Sequence, residues 1–135
     1  MPRTVKALVS GVAIAVSVLG CGGSKQDVQL ANQVKSVANA QQWQDWAIMV
    51  LERAKTNSRP LLTSEWPSFV QGIQAPAAEW QLVLGRNGSS SNISLVSFGG
   101  VCSFGIDVGG PTFVETPNPS EHRTRVYPGV YVVSN

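Results

Sequence analysis

The sequence contains two cysteines, Cys21 and Cys102, and a single histidine, His122. A thiol and an imidazole can act together as a nucleophile and its general base. Cys102, however, alternates with Phe104 and Ile106 on the apolar side of a predicted strand, where a cysteine packs as a small hydrophobic residue. His122 lies in the polar stretch NPSEHRTR. The pattern favours core packing for Cys102, and a small thiol-dependent hydrolase or redox enzyme that uses Cys102 and His122 is the alternative function.

The other polar residues form no pattern that is typical of catalysis. The carboxylates Asp107, Glu115 and Glu121 are scattered over a predicted strand and loops, so we expect them at solvated surface positions. One histidine and one further cysteine fall short of a usual zinc ligand set, and the sequence contains no calcium-loop pattern. The glycine-rich segments lack the Lys-Ser or Lys-Thr end of a phosphate-binding loop. The sequence therefore predicts no metal, no cofactor and no catalytic residue, and an enzyme is not expected.

The four tryptophans, Trp43, Trp46, Trp66 and Trp80, all precede the glycine-rich strands. Aromatic rings can form a platform for a glycan, but Trp43 and Trp46 lie on a helical apolar stripe and Trp80 opens a predicted strand. Burial is therefore expected for these three. Trp66 stands next to a proline and is the tryptophan that we most expect to be exposed, which makes it a weak candidate for a binding residue.

The charge balance excludes one large class of partners. The chain has 135 residues, of which ten are basic and eight acidic, and its formal net charge is +2. Arg3 and Lys6 stand near the start of the chain, and without residues 1–20 the charges balance. No cluster of lysine or arginine follows, so the electrostatic footprint of a nucleic-acid-binding protein is missing. Only 13% of the residues are charged, against about 25% in typical soluble domains, so the surface must be built largely of neutral polar residues.

An uncharged apolar run over residues 7–20 follows the two basic residues. As a helix it would rise about 21 Å, short of the roughly 30 Å core of a bilayer, and it fits the apolar part of a secretory signal. The run ends in VLGC, residues 18–21, which resembles the lipobox of bacterial lipoproteins. The resemblance implies that the thiol of Cys21 receives a diacylglyceryl group and that the signal peptide, residues 1–20, is removed.

The lipobox resemblance also implies that the protein is located on the outer face of the bacterial cell membrane. Gly22 after the cysteine implies the outer membrane in a cell that has two membranes. Residues 21–26 would then form the lipidated cysteine and a tether of about 12 Å root-mean-square reach, followed by a single domain over residues 27–135. The alternatives are a plain signal peptide, an uncleaved N-terminal helix, and a disulfide between Cys21 and Cys102 that would compete with lipidation.

The spacing of apolar residues predicts an α+β domain. Within residues 27–55, apolar side chains recur every three to four positions, as in one long helix or two. A short helix is predicted over residues 65–73. From Glu79 onward the period is two, and about four strands joined by tight turns are typical of an antiparallel meander. In the strand ISLVSF the phase slips between Leu95 and Val96, which indicates either a bulge or burial on both faces. The helices should cover one face of the sheet, because a lone sheet exposes its apolar side.

The sequence thus predicts a membrane-anchored lipoprotein of the cell envelope that acts as a non-catalytic binding or interaction module. Its expected partners are the membrane, through the N-terminal lipid, and a protein or glycan of the envelope. A further interpretation is a structural subunit that offers the bare edge of its last strand to a larger partner. The helix and the glycine-rich strands resemble short uncharacterised bacterial proteins, and this resemblance implies no activity.

Overall fold

The computed structural model describes residues 25–56, 61–85, 91–116 and 118–135. The helices in these ranges are α1 (Lys25–Val37), α2 (Ala40–Thr56) and α3 (Ser68–Gln71), with a 3-10 turn at Thr63–Glu65. The strands are β1 (Gln81–Val83), β2 (Asn92–Gly99), β3 (Cys102–Gly109), β4 (His122–Tyr127) and β5 (Val130–Ser134). The helices come before the strands along the chain and pack against the sheet that the strands form. The predicted α+β class is therefore confirmed.

The helical stretch predicted over residues 27–55 consists of two helices, which break at Ala38 and Asn39. The Asn39 side chain accepts a hydrogen bond from the backbone N–H of Gln42, and the Gln42 side chain accepts one from the N–H of Asn39, both at 2.9 Å. This reciprocal pair is a capping box in which Asn and Gln take the roles often played by Ser and Glu. It satisfies amides at the start of α2 that have no partner within the helix, so α2 begins at the polar NAQQ segment.

The strands form one antiparallel sheet in the order β1-β2-β3-β5-β4. The first three strands form the predicted meander. The segment VYPGVYVV forms a hairpin with Pro128 and Gly129 in its turn, so the sheet has five strands where about four were predicted. Gly129 has a φ of +78°, and a Cβ there would collide with the carbonyl oxygen of Gly110, so glycine is required. The last strand, β5, is paired on both sides, and the interpretation in which it offers a bare edge is wrong.

The helix face of the sheet is the side that carries Leu95, Ile106 and Val132, and it holds the hydrophobic core. Leu95 pairs with Ile106, and Ile106 pairs with Val132 across the next strand; all three side chains are at most 1% exposed. The helices supply the other half of this core, chiefly through Leu30, Val34, Trp43, Trp46, Ala47 and Val50. The prediction that the helices cover one face of the sheet is therefore confirmed.

The outer face of the sheet is the opposite side, which carries Ser94, Asp107 and Tyr131. Ser94 and Asp107 lie directly opposite each other on β2 and β3, and both are 0% exposed. Part of the cover comes from the connection between β3 and β4, where the Phe113 ring packs edge-on against Tyr131 with centroids 5.8 Å apart. The expected solvated position of Asp107 is thus wrong. Burial on both faces, one of the two explanations for the phase slip in β2, is confirmed.

Candidate functional site

A surface cleft lies beside the chain that leads from the 3-10 turn to β1. Its volume is about 420 Å³, which is within the range of small-molecule sites. Two indole rings, a carboxylate, an amide and a hydroxyl group line it, and we call it the tryptophan cleft: Thr63, Trp66, Val70, Gln71, Ala75, Glu79 and Trp80. The cleft thus combines broad aromatic surface with several hydrogen-bonding side chains.

Local hydrogen bonds fix the walls of the tryptophan cleft. The short helix predicted over residues 65–73 is split at Trp66 and Pro67 into the 3-10 turn and α3. The side-chain amide of Gln71 donates to the backbone carbonyl of Trp66 at 2.6 Å, and the indole N–H of Trp80 donates to the carbonyl of Ile73 at 3.0 Å. These bonds order two walls before any ligand arrives, which lowers the entropy cost of binding.

The exposures of the tryptophans differ from the predicted ones. Trp66 is 6% exposed, so the expectation that it is the exposed tryptophan is wrong, although it does line the cleft. Its ring packs edge-on against Trp46 with centroids 6.5 Å apart, as part of an aromatic cluster with Trp43 and Phe69. Trp43 and Trp46 are buried as predicted, whereas Trp80 is only half-buried. Trp80 is therefore the tryptophan with the most surface to offer a ligand.

A second cleft of about 240 Å³ adjoins the first at Ala75, which lines both. We call it the glutamine cleft, because four of its residues are glutamines: Gln26, Gln29, Leu30, Gln33, Gln74, Ala75 and Pro76. Gln26, Gln29 and Gln33 follow the spacing i, i+3, i+7 that places them on one face of α1. The side chain of Gln33 accepts a hydrogen bond from the N–H of Gln74 at 3.1 Å, which joins the helix to the connecting segment. The glutamine spacing is the sequence signal that could have identified this surface.

The two clefts carry almost no charge, and among the described residues Glu79 is the one ionisable group that lines them. Such a surface has no basic group to attract a phosphate. It offers amide groups that can both donate and accept hydrogen bonds, next to an aromatic ring that can cover apolar ligand surface. This combination suits a neutral ligand with many hydroxyl or amide groups.

The structure does not bring Cys102 and His122 together. Cys102 begins β3 and His122 begins β4, and β5 lies between these two strands. Two strand spacings of about 4.8 Å therefore separate their backbones. Cys102 is also disulfide-bonded, so its sulfur is not a thiol nucleophile in this state. The geometry thus gives no support to a thiol-dependent enzyme.

His122 instead contacts the buried Asp27 in the first turn of α1. The Nδ1 atom of His122 lies 3.2 Å from Oδ2 of Asp27, and the Ser134 hydroxyl donates to the same oxygen at 2.9 Å. Asp, His and Ser are the residue types of a hydrolase triad, in which the serine hydroxyl must bond to the imidazole. Here it bonds to the carboxylate, so the cluster ties the start of α1 to β4 and β5.

Cys21, the predicted lipidation site, lies outside the described residues together with the predicted signal peptide. Helix α1 begins at Lys25, so the last two residues of the predicted tether, residues 22–26, are helical. The alternative prediction of a disulfide between Cys21 and Cys102 also involves a residue outside the described ranges. One sulfur cannot carry both a lipid thioether and a disulfide, and the two assignments for Cys21 therefore exclude each other.

Comparison of the chain with protein-family models, with curated proteins and with solved structures finds no match. None of the helices in the described ranges combines the length and the hydrophobicity needed to cross a bilayer. In the same part of the chain, no group of three or more His, Cys, Asp or Glu side chains could hold a metal ion. Function must therefore be inferred from the clefts and from the N-terminal motif.

Proposed function

We propose that this protein is a lipoprotein of the bacterial cell envelope, anchored through a diacylglyceryl group on Cys21, whose domain is a non-catalytic binding module. The observation that carries the proposal is the apolar, signal-like run ALVSGVAIAVSVLGC, which ends in the lipobox-like VLGC. Two or three acyl chains on one cysteine give a stable membrane attachment, whereas a single chain binds only marginally. Gly22 after the cysteine favours the outer membrane in a cell with two membranes.

The start of α1 supports a domain that is held close to the lipid. Only residues 22–24 separate Cys21 from Lys25, and an extended chain spans at most about 14 Å over that distance. The glutamine cleft begins at Gln26, one residue into the helix. Both clefts would therefore lie near the membrane surface, where neighbouring envelope components are within reach.

Mass spectrometry of the intact protein extracted from membranes tests the anchor. We expect a species that begins at Cys21 and carries the added mass of the acyl groups, and we expect the Cys21→Ser protein to leave the membrane fraction after a carbonate wash. A species that begins at Met1, or one that begins at Cys21 without acyl mass, would contradict the proposal.

The disulfide of Cys102 favours a second candidate, in which a plain signal peptide exports the protein and a Cys21–Cys102 bond fixes its N-terminal segment. In the chain-entropy model, a bond that closes a loop of this size stabilises the fold by about 4 kcal/mol. The Cys102→Ala variant separates the two candidates. It would keep a lipidated protein on the membrane, whereas it would remove the cross-link and lower the stability of the exported one.

For the binding module we propose the tryptophan and glutamine clefts as the site and a neutral glycan of the envelope as the ligand class. The half-buried Trp80 supports this, because its ring can cover the apolar face of a sugar while the neighbouring glutamines bond to hydroxyl and amide groups. The near absence of charge on the cleft walls agrees with a neutral ligand.

Calorimetric titration with a soluble β-1,4-linked tetrasaccharide of N-acetylglucosamine tests the ligand class. We expect binding that weakens about tenfold in Trp80→Ala and measurably in Gln71→Ala, since each removes a contact on the cleft wall. Gln41→Ala is the matched control, because Gln41 is an exposed glutamine outside both clefts and its loss should change nothing. Absence of binding by the native protein would contradict a glycan ligand of this kind without affecting the anchor.

A further inference from the structure

The turn between β2 and β3 presents apolar side chains to solvent. Gly99 pairs with Cys102, which leaves Gly100 and Val101 as a two-residue turn, and Gly100 has the positive φ of 63° that such turns require at their first position. Val101 is 79% exposed and Phe98 is 58% exposed. We call residues 98–101 the β2–β3 tip; no residue in it is charged.

The β2–β3 tip and the start of α1 lie at the same end of the sheet. In α1, Asp27 accepts a hydrogen bond from Ser134 at the end of β5. The next residue, Asn135, exchanges two backbone hydrogen bonds of 3.1 and 3.2 Å with Ser103. Ser103 in turn pairs with Phe98 on β2. This chain of contacts places the first turn of α1 and the tip at the same end of the sheet, about two strand spacings apart.

The number of residues between Cys21 and Lys25 limits how far a lipid on Cys21 can lie from this end of the sheet. Cys21 is four residues before Lys25, so its Cα stays within about 14 Å, the length of an extended chain, of the Cα of Lys25. A lipid on Cys21 inserts into the bilayer, and the membrane surface must then lie at this end of the sheet. Val28, in the first turn of α1, is a further exposed apolar residue near this end and is 61% exposed.

We propose that the β2–β3 tip inserts into the bilayer surface beside the lipid anchor, with the Phe98 and Val101 side chains among the upper acyl chains. An uncharged tip can enter the interface without the cost of burying a charge. Transfer of apolar side chains out of water lowers the free energy. The tip thereby acts as a second contact that orients the domain and fixes the direction in which the two clefts face. The inference rests on the proposed lipid anchor.

Tryptophan fluorescence of the lipidated mature protein in vesicles tests the inference. The variants Val101→Trp and Leu84→Trp each add one tryptophan at an exposed apolar position. Leu84 follows β1 beyond Val83, which pairs with Ser94, and it therefore lies toward the opposite end of the sheet from the tip. In phosphatidylethanolamine–phosphatidylglycerol vesicles with brominated acyl chains, we expect the emission added by Val101→Trp to be quenched and blue-shifted. The emission added by Leu84→Trp should be the same in vesicles with brominated acyl chains and in vesicles without bromine.

A second pair of variants keeps the test valid where Val101→Trp does not fold. Phe98→Trp retains an aromatic side chain at the tip, and Val83→Trp is its control on β1. Equal quenching of the tip and control variants, or none at the tip in a protein with confirmed acyl mass, would overturn the inference and leave the anchor intact. A protein without acyl mass at Cys21 would overturn both, and mass spectrometry of the same sample reports it.

Discussion

Both faces of β2 are buried over residues 92–97, but by side chains of different polarity. Leu95 on the helix face and its neighbour Ser94 on the outer face are both 0% exposed. Leu95 packs among apolar residues, whereas Ser94 lies opposite Asp107 and accepts a hydrogen bond of 3.3 Å from the side chain of Asn92. The alternation of polar and apolar residues thus shows which side chains share a face of the sheet, and it does not show that the polar face meets water.

The helix face should be the main source of stability, and Leu95→Ala tests this with the largest expected effect. Truncation of a fully buried leucine removes its transfer free energy and leaves a cavity, so we expect the free energy of unfolding to fall by about 2–5 kcal/mol. Urea unfolding of the purified protein measures the change. Val83→Ala on β1 is the control, since Val83 is 39% exposed and should change stability by less than about 1 kcal/mol. Equal effects of the two substitutions would contradict a core on the helix face.

The fold class was predictable because its signals are local. The apolar spacing of residues 27–55 indicates helices whatever these helices pack against, and the period of two indicates strands. The capping box of Asn39 and Gln42 was also present in the sequence as Asn-x-x-Gln, and it separates α1 from α2. The fifth strand was not predicted, because apolar residues stand on both sides of the turn at Pro128 and Gly129 and periodicity alone does not show that the chain reverses there.

The candidate site was less predictable because it depends on tertiary packing. The residues that line the two clefts come from α1, from the 3-10 turn and α3, and from the connection to β1. Their sequence spacing does not reveal that Ala75 lies between them. The proline beside Trp66 favours exposure, yet the contact with Trp46 buries this ring, and Trp80 is the tryptophan that is half-buried. The single local signal was the glutamine spacing on α1.

Polar burial also occurs on the helix face, and Ser97→Ala should have the second-largest effect. The Ser97 hydroxyl donates to the carbonyl of Ala78 at 2.6 Å and accepts from the N–H of Ala77 at 3.1 Å. Its removal leaves two partly buried backbone groups without these bonds, so we expect a loss of about 1–3 kcal/mol in urea unfolding and faster hydrogen exchange at the Ala77 amide. The exposed Ser64→Ala should change neither, and an unchanged Ala77 exchange rate in Ser97→Ala would show that the bond does not hold this segment.

Ser94→Ala should have the smallest effect of the three, although Ser94 is as buried as Leu95. The substitution removes one acceptor of the Asn92 amide, which keeps its bond of 3.1 Å to the carbonyl of Ile93. We therefore expect the free energy of unfolding, measured in urea, to fall by about 1 kcal/mol. The substitution removes a single neutral hydrogen bond and puts a methyl group, which can be buried without a partner, in place of the hydroxyl. A loss as large as that of Leu95→Ala would mean that the polar residues of the outer face act as one network with Asp107. In that case the outer face contributes to stability on a par with the helix face, and equal burial would imply equal energetic weight after all.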